Sequence, residues 1–127
     1  MLSVIVLEQA TRFRRELEIE WSRQAVTGTG DFVVGEIESA TSVAEVEFWA
    51  NSNRTGVVVV DLAVGQPDVL RLLERWDRDW PVVVVGPPET AELEWPLREL
   101  GATAVLFEPV NPSQLLTMCQ RVSHSVV

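Results

Sequence analysis

The chain has 127 residues, 46% of them hydrophobic and 23% charged, which is the length and composition of a single globular domain spanning residues 1–127. The chain has ten basic residues, all of them arginine, and 19 acidic residues. The formal charge of −9 disfavours binding to nucleic-acid phosphates. The longest valine runs are much shorter than the roughly 20 residues of a membrane helix, so we expect no membrane span.

Two further features of the chain favour a reducing cytoplasm. The N-terminus has no basic region ahead of an apolar stretch, which argues against a signal peptide, and a single cysteine, Cys119, cannot form an internal disulfide. Neither Cys119 nor His124 has the sequence neighbours of a catalytic group. The only close basic group, Arg12, Arg14 and Arg15, is interpreted as a solvated helix surface.

Apolar runs of strand length alternate with segments of helical periodicity along the chain. In chain order, the predicted strands cover residues 4–7, 32–37, 57–60, 82–85 and 102–107. A helix is predicted after each strand. The first carries Phe13, Leu17 and Trp21 and ends near Gly28 and Gly30, the second begins with a capping box at 42–45, and the third has Pro67 in its first turn. The fourth ends near Leu100, and the fifth begins at Asn111 and has four inward-facing residues, Leu115, Leu116, Cys119 and Val122. Pro96 is expected to break or delay the fourth helix.

The pattern of the strands indicates their arrangement. Continuously apolar strands are typical of a parallel sheet that is covered on both faces, and strict alternation with helices favours a doubly wound α/β fold. The second predicted strand has a weaker hydrophobic pattern than the others, which favours a position at the edge of the sheet. Ligands of such folds bind beyond the carboxyl ends of the strands, which directs attention to five positions. These are Glu8, Gln9, Asp61, Gly86 and Glu108.

These positions and the strands before them resemble the receiver domain of bacterial two-component response regulators. Five segments are similar in the same order: residues 4–9, 33–36, 57–62, 81–86 and 101–109. The resemblance covers nearly the whole chain. It implies the flavodoxin-like fold, a five-stranded parallel sheet with strand order 2-1-3-4-5 and five helices.

The resemblance also shows where this chain departs from the family. In receiver domains an acidic pair after the first strand holds Mg²⁺, an Asp after the third accepts a phosphoryl group, a Ser or Thr ends the fourth, and a Lys precedes the proline after the fifth. Asp61 matches the phosphoacceptor, whereas Glu8 and Gln9 replace the acidic pair. Gly86 lacks the hydroxyl, and Glu108 reverses the charge of the lysine.

These replacements disfavour phosphorylation. Two unit charges about 4 Å apart near a protein surface interact by about 4 kcal/mol, so a carboxylate in place of an ammonium turns that attraction into repulsion. Gln9 weakens Mg²⁺ binding, because hard cations prefer carboxylate oxygens. We therefore expect a rim of negative groups with no resident cation. Alternatives remain open: Asp61 as a turn or capping residue, Glu108 turned to solvent, or Glu8, Asp61 and Glu108 gathered into a cation site.

The main hypothesis is a degenerate receiver, or pseudo-receiver, that is not an enzyme and acts as a protein-interaction module largely independent of aspartyl phosphorylation. A protein partner or a second copy would bind the face of the last two helices. Trp95 is predicted to point outward and contact a partner, and the loop at 86–88 is expected to be stiff.

Two other hypotheses remain. In one, Asp61 still accepts phosphate, with Glu8 and Asp61 holding Mg²⁺ weakly. In the other, the domain binds a small ligand at the same edge, although residues 8–11 lack the glycines of a phosphate-binding loop.

Overall fold

The computed structural model describes residues 2–9, 12–27, 34–52, 56–76 and 80–124. In that part of the chain, strands and helices alternate strictly. The strands are β1 (Leu2–Leu7), β2 (Val34–Ala40), β3 (Gly56–Asp61), β4 (Val82–Gly86) and β5 (Ala104–Phe107). The helices are α1 (Arg12–Thr27), α2 (Val43–Ser52), α3 (Gln66–Arg75), α4 (Glu94–Glu99) and α5 (Pro112–His124), with 3₁₀ turns at Leu62–Val64 and Pro88–Leu93. The predicted glycine breakers after α1 and the start of the predicted second strand lie outside the described residues.

The five strands form one parallel sheet in the order β2-β1-β3-β4-β5, which confirms the predicted fold class. β2 is an edge strand, as its weaker hydrophobic pattern indicated. Because all strands run the same way, their carboxyl ends meet at one edge of the sheet. β1, β3, β4 and β5 are neighbours there, and the candidate functional positions follow these four strands.

Hydrophobic side chains cover both faces of the sheet. Val58 and Val60 of β3 pack on one side with residues of α2, α3 and α4, while Val57 and Val59 pack on the other with α1 and α5. All four valines are fully buried. The valine run is therefore apolar on successive residues because each of its faces meets a different helix layer.

The ends of the helices follow the local signals in the sequence. The Asn111 side chain accepts a hydrogen bond from Ser113 N at 2.8 Å and begins α5, whose predicted inward residues are buried. At α2 the predicted capping box closes on one side only. Ser42 Oγ accepts from Glu45 N at 3.2 Å, but the Glu45 carboxylate accepts from the Thr41 hydroxyl at 2.9 Å.

The region before β5 is less regular, as Pro96 suggested. A 3₁₀ segment, Pro88–Leu93, comes first, and α4 covers only Glu94–Glu99. Pro96 lies in the first turn of α4, where a missing backbone N–H leaves no helical hydrogen bond unmade. No helix among the described residues is long and apolar enough to cross a membrane.

Candidate functional site

The candidate site is the carboxyl edge of the sheet, where the ends of four adjacent strands meet. Asp61 ends β3 and Gly86 ends β4, while Glu8 follows β1 and Glu108 follows β5. Gln9 is exposed. The structure thus brings the sequence-predicted positions to one edge, and their side chains make different contacts there.

Glu8 is buried at the start of α1, with 1% of its surface exposed. Its carboxylate accepts a hydrogen bond from Phe13 N at 3.0 Å and another from Arg14 N at 3.1 Å. These amides are among the first of the helix, which have no partner within it, so Glu8 acts as a helix-capping group. Burial raises the pKa of Glu8, the two amides oppose the rise, and the negative charge of Asp61 adds to it.

Asp61 is half-buried and caps the short 3₁₀ turn that follows β3. Its Oδ1 accepts a hydrogen bond from Ala63 N at 2.9 Å. The capping interpretation that the sequence left open is therefore realised in the structure. The role of Asp61 as a phosphoacceptor stays a prediction.

Arg12, in the first turn of α1, lies across the site. Its guanidinium forms an ion pair with the Glu108 carboxylate and stands 4.2 Å from the centre of the Phe13 ring. Partial burial lowers the pKa of Arg12, but the hydrogen bond and charge of Glu108, together with the charge of Asp61, outweigh that effect and raise it. Arg12 therefore lies within electrostatic range of both carboxylates.

This arginine corrects two expectations from the sequence. The rim was expected to hold no cation, and Arg12 was interpreted as a solvated helix residue; instead Arg12 neutralises Glu108 beside Asp61. Glu108 is accordingly paired and is not turned freely to solvent. The sequence did contain a signal, since a negative residue in a position where a lysine was expected calls for a positive partner. However, Arg12 and Glu108 are 96 residues apart, and only the fold shows that they meet.

Glu8, Asp61 and Glu108 do not gather into a shared three-carboxylate site. Among the described residues, no group of three His, Cys, Asp or Glu side chains is placed to share a metal ion, so the three-carboxylate cluster is not formed. The Glu8 oxygens face backbone amides, and Glu108 is held by Arg12. Weak binding of Mg²⁺ by Glu8 and Asp61 alone stays a prediction.

Gly86 is enclosed by its neighbours. A Cβ atom there would lie 2.7 Å from Thr90 Oγ1 and 3.0 Å from Leu62 Cδ2, so a larger residue requires these side chains to move. The Thr90 hydroxyl donates to Pro87 O at 2.6 Å, and Thr90 N donates to the same oxygen at 3.0 Å. Thr90, which the sequence analysis did not single out, therefore closes the loop after β4 and occupies space beside the missing hydroxyl.

Two surface depressions lie near the candidate residues. One, of about 370 Å³, is bounded by β1, α2 and α3 and includes Leu7, Ser42 and Arg71 in its wall. The other, of about 390 Å³, lies between β5 and α5 and includes Phe107 and Met118. Both are lined by mixed apolar and polar side chains, and neither wall includes Asp61.

Trp95 lies on the outer surface of α4. Its side chain is 70% exposed, in agreement with the predicted helical phase, whereas Leu97 on the other side of the helix is buried. The other tryptophans, Trp21, Trp49, Trp76 and Trp80, are half-buried or buried, as predicted. A partner contact at Trp95 stays a prediction.

No protein-family model and no curated protein matches the chain. Solved structures do. The receiver domain of the response regulator TorR superposes with a TM-score of 0.79 at 12% identity, covering 100% of each chain. The chain has the receiver-domain fold.

Further receiver-domain structures agree. The beryllofluoride-activated NtrC4 receiver domain dimer matches with a TM-score of 0.75 at 14% identity, covering 98% of each chain. The chemotaxis response regulator CheY4 of Vibrio cholerae matches with a TM-score of 0.66 at 21% identity, covering 96% of this chain and 98% of that one. At these identities the similarity is one of fold, and the function of the receiver-like edge depends on its own residues.

Proposed function

We propose that this chain is an atypical receiver domain of a two-component-type signalling system, in which the Arg12–Glu108 ion pair holds the edge around Asp61 in one state. The domain acts as a protein-interaction module in the cytoplasm, largely independent of aspartyl phosphorylation, and it catalyses no reaction. The observation that carries this proposal is the ion pair itself, which sits where a responsive site would need a free cation.

The electrostatics of the edge support a site that resists phosphorylation. A phosphoryl group on Asp61 adds negative charge, and phosphoryl transfer depends on positive groups that stabilise it. Here the nearby cation, Arg12, is already neutralised by Glu108. To pair with a phosphoryl group on Asp61, the guanidinium must leave the Glu108 carboxylate. The free energy lost with the first ion pair therefore offsets part of the free energy gained from the second.

The remaining groups supply little help. The Glu8 carboxylate is committed to two amides of α1, and Gly86 offers no side-chain hydroxyl. The Thr90 hydroxyl beside Gly86 is committed to Pro87 O. Glu8 and Thr90 each have hydrogen-bond partners within the protein, which favours the present arrangement over a switch between two.

One observation favours a second candidate, a receiver in which Asp61 still accepts a phosphoryl group slowly. Arg12 is close enough to Asp61 for the Asp61 carboxylate to raise the pKa of the guanidinium. A phosphorylated Asp61 carries more negative charge than Glu108 and would compete with it for the guanidinium. In this case Arg12 takes the charge-neutralising role, and phosphorylation depends on it.

Incubation with acetyl phosphate and Mg²⁺, followed by intact-mass measurement, separates the two candidates. The proposal expects no incorporation of phosphate in the wild type; stoichiometric incorporation that disappears in D61N would overturn it. Slow incorporation that is lost in D61N and in R12Q, but retained in the matched surface variant R15Q, would support the second candidate.

The output of the module is proposed to be the face formed by the last two helices, which binds either another protein or a second copy of this chain. The solved NtrC4 receiver is described as a dimer. In this chain the exposed Trp95 on α4 supports a contact surface there.

A further inference from the structure

We propose that the segment 87–99, centred on Trp95, docks a basic segment of a partner protein. This inference rests on the proposed role as an interaction module and names the chemistry of the partner. It combines two independent observations on one surface element: an exposed indole, and three glutamates of the same segment that form no ion pair.

The indole is placed for contact and does not contribute to the core. Leu97, two residues later, is 1% exposed and anchors α4 to the sheet, so Trp95 is directed to the opposite side of this short helix. Within the described residues, its 70% exposure exceeds that of the other exposed large hydrophobic residues, Ile19 and Phe48. Tryptophan side chains that lie in this way are frequent anchors of protein interfaces, because covering them removes a large apolar area from water.

The charge of the segment 87–99 is mostly negative. The segment carries Glu89, Glu92, Glu94 and Glu99 against a single cation, Arg98, which leaves a net charge of −3. Arg98 pairs with Glu94 at 3.4 Å. Within the described part of the chain, the other three glutamates form no ion pair, and each of them is exposed.

A segment that carries an exposed indole and three unpaired glutamates is complementary to arginine and lysine side chains. The carboxylates attract the cation over the Debye length and raise the association rate, and a guanidinium that reaches the indole face gains a cation–π contact. A guanidinium can also pair with the neighbouring carboxylates. A basic helix or extended segment with one or two apolar residues meets both requirements.

The same charges argue against a second copy of this chain as the occupant. Two copies joined through this segment would bring two patches of charge −3 together, on chains that each carry −9. Like charges in an interface cost free energy unless cations lie between them. The basic partner is therefore favoured over self-association at this segment.

The test uses the full chain and a defined probe. The probe is a synthetic amphipathic peptide with apolar residues at positions i, i+3, i+4 and i+7 and arginine at its polar positions, and its twin has glutamate at those positions. Binding is measured by fluorescence anisotropy of the labelled peptide and located by amide chemical-shift changes. We expect the arginine peptide to bind, with shifts concentrated in residues 87–99, and the glutamate peptide not to bind.

Variants connect the binding to its two causes. W95A should weaken binding about tenfold or more, as expected for an aromatic anchor. The triple variant E89Q/E92Q/E99Q should weaken binding at low salt and flatten its salt dependence. F48A removes an exposed aromatic residue from α2, and we expect its affinity to equal that of the wild type.

Several results would overturn the inference. These are shifts located outside 87–99, equal affinity in W95A and wild type, equal binding of both peptides, or a dimer in sedimentation that W95A abolishes. None of them bears on the acetyl phosphate result, which tests the proposed function separately. A phosphorylated wild type with peptide binding at Trp95 would reject the phosphorylation-independent module and retain the docking site.

Discussion

Removal of the Arg12–Glu108 pair tests whether this ion pair stabilises the edge around Asp61. The two side chains are 48% and 30% exposed, so solvent screens their attraction. Partly exposed pairs contribute about 0.5–1 kcal/mol in double-mutant cycles. R12A also removes the stacking of the guanidinium on Phe13, which adds about 0.5–1 kcal/mol. We therefore expect R12A to cost about 1–2 kcal/mol and E108A less.

The measurement is the free energy of unfolding in urea for the wild type, R12A, E108A and the double variant. The interaction energy from this cycle should be about 0.5–1 kcal/mol and should fall in about 1 M salt, where the Debye length is about 3 Å. R15A, which removes an exposed arginine of the same helix, serves as the control and should change stability by less than about 0.5 kcal/mol.

The same ion pair should also control how readily Asp61 is phosphorylated. E108K replaces the carboxylate with an ammonium and frees Arg12, so the edge gains one positive group and Arg12 loses the carboxylate that neutralises it. We expect E108K to incorporate phosphate from acetyl phosphate faster than the wild type. An interaction energy within error of zero, together with wild-type behaviour of E108K, would refute the assignment of the ion pair as the group that holds this edge.

Three other predictions follow from the buried polar and glycine positions. Because burial raises the pKa of Glu8 above its ordinary value of 4.5, its contribution to stability is present below that value and is lost as pH rises through the folded pKa. The stability of E8Q relative to the wild type should therefore increase as pH rises from about 4 to about 7 in urea unfolding, and a flat or falling difference would contradict this. A Cβ at Gly56 would overlap the Trp80 ring and lie 2.8 Å from the Ser3 backbone oxygen, so G56A should cost about 1–3 kcal/mol; a W80L background should recover only part of this cost, and full recovery would show that the backbone contact costs nothing. G86S places its Cβ 2.7 Å from Thr90 Oγ1 and should cost about 1–2 kcal/mol without increasing phosphate incorporation, whereas a stable, readily phosphorylated G86S would show that the missing hydroxyl alone limits the site.

Much of the fold could be predicted from the sequence, because burial leaves a periodic record in the choice of residues. The valine runs of β3 and β4 are apolar on every residue, and the structure places helices on both of their faces. The inward side of α5 and the proline in the first turn of α3 followed from local rules in the same way. The ends of the strands then converged by the geometry of a parallel sheet.

The chemistry at that edge could not be predicted to the same depth, because it depends on which polar side chains meet. Nothing in the sequence indicated that Glu8 caps α1, and the fold places its carboxylate on two amides of that helix. The sequence placed Arg12 on a solvated surface, and the fold pairs it with Glu108. Hydrophobic periodicity determined where each strand and helix lies, since it depends on neighbours along the chain. The pairing of charges was decided only in three dimensions, where residues distant in sequence compete for the same partner.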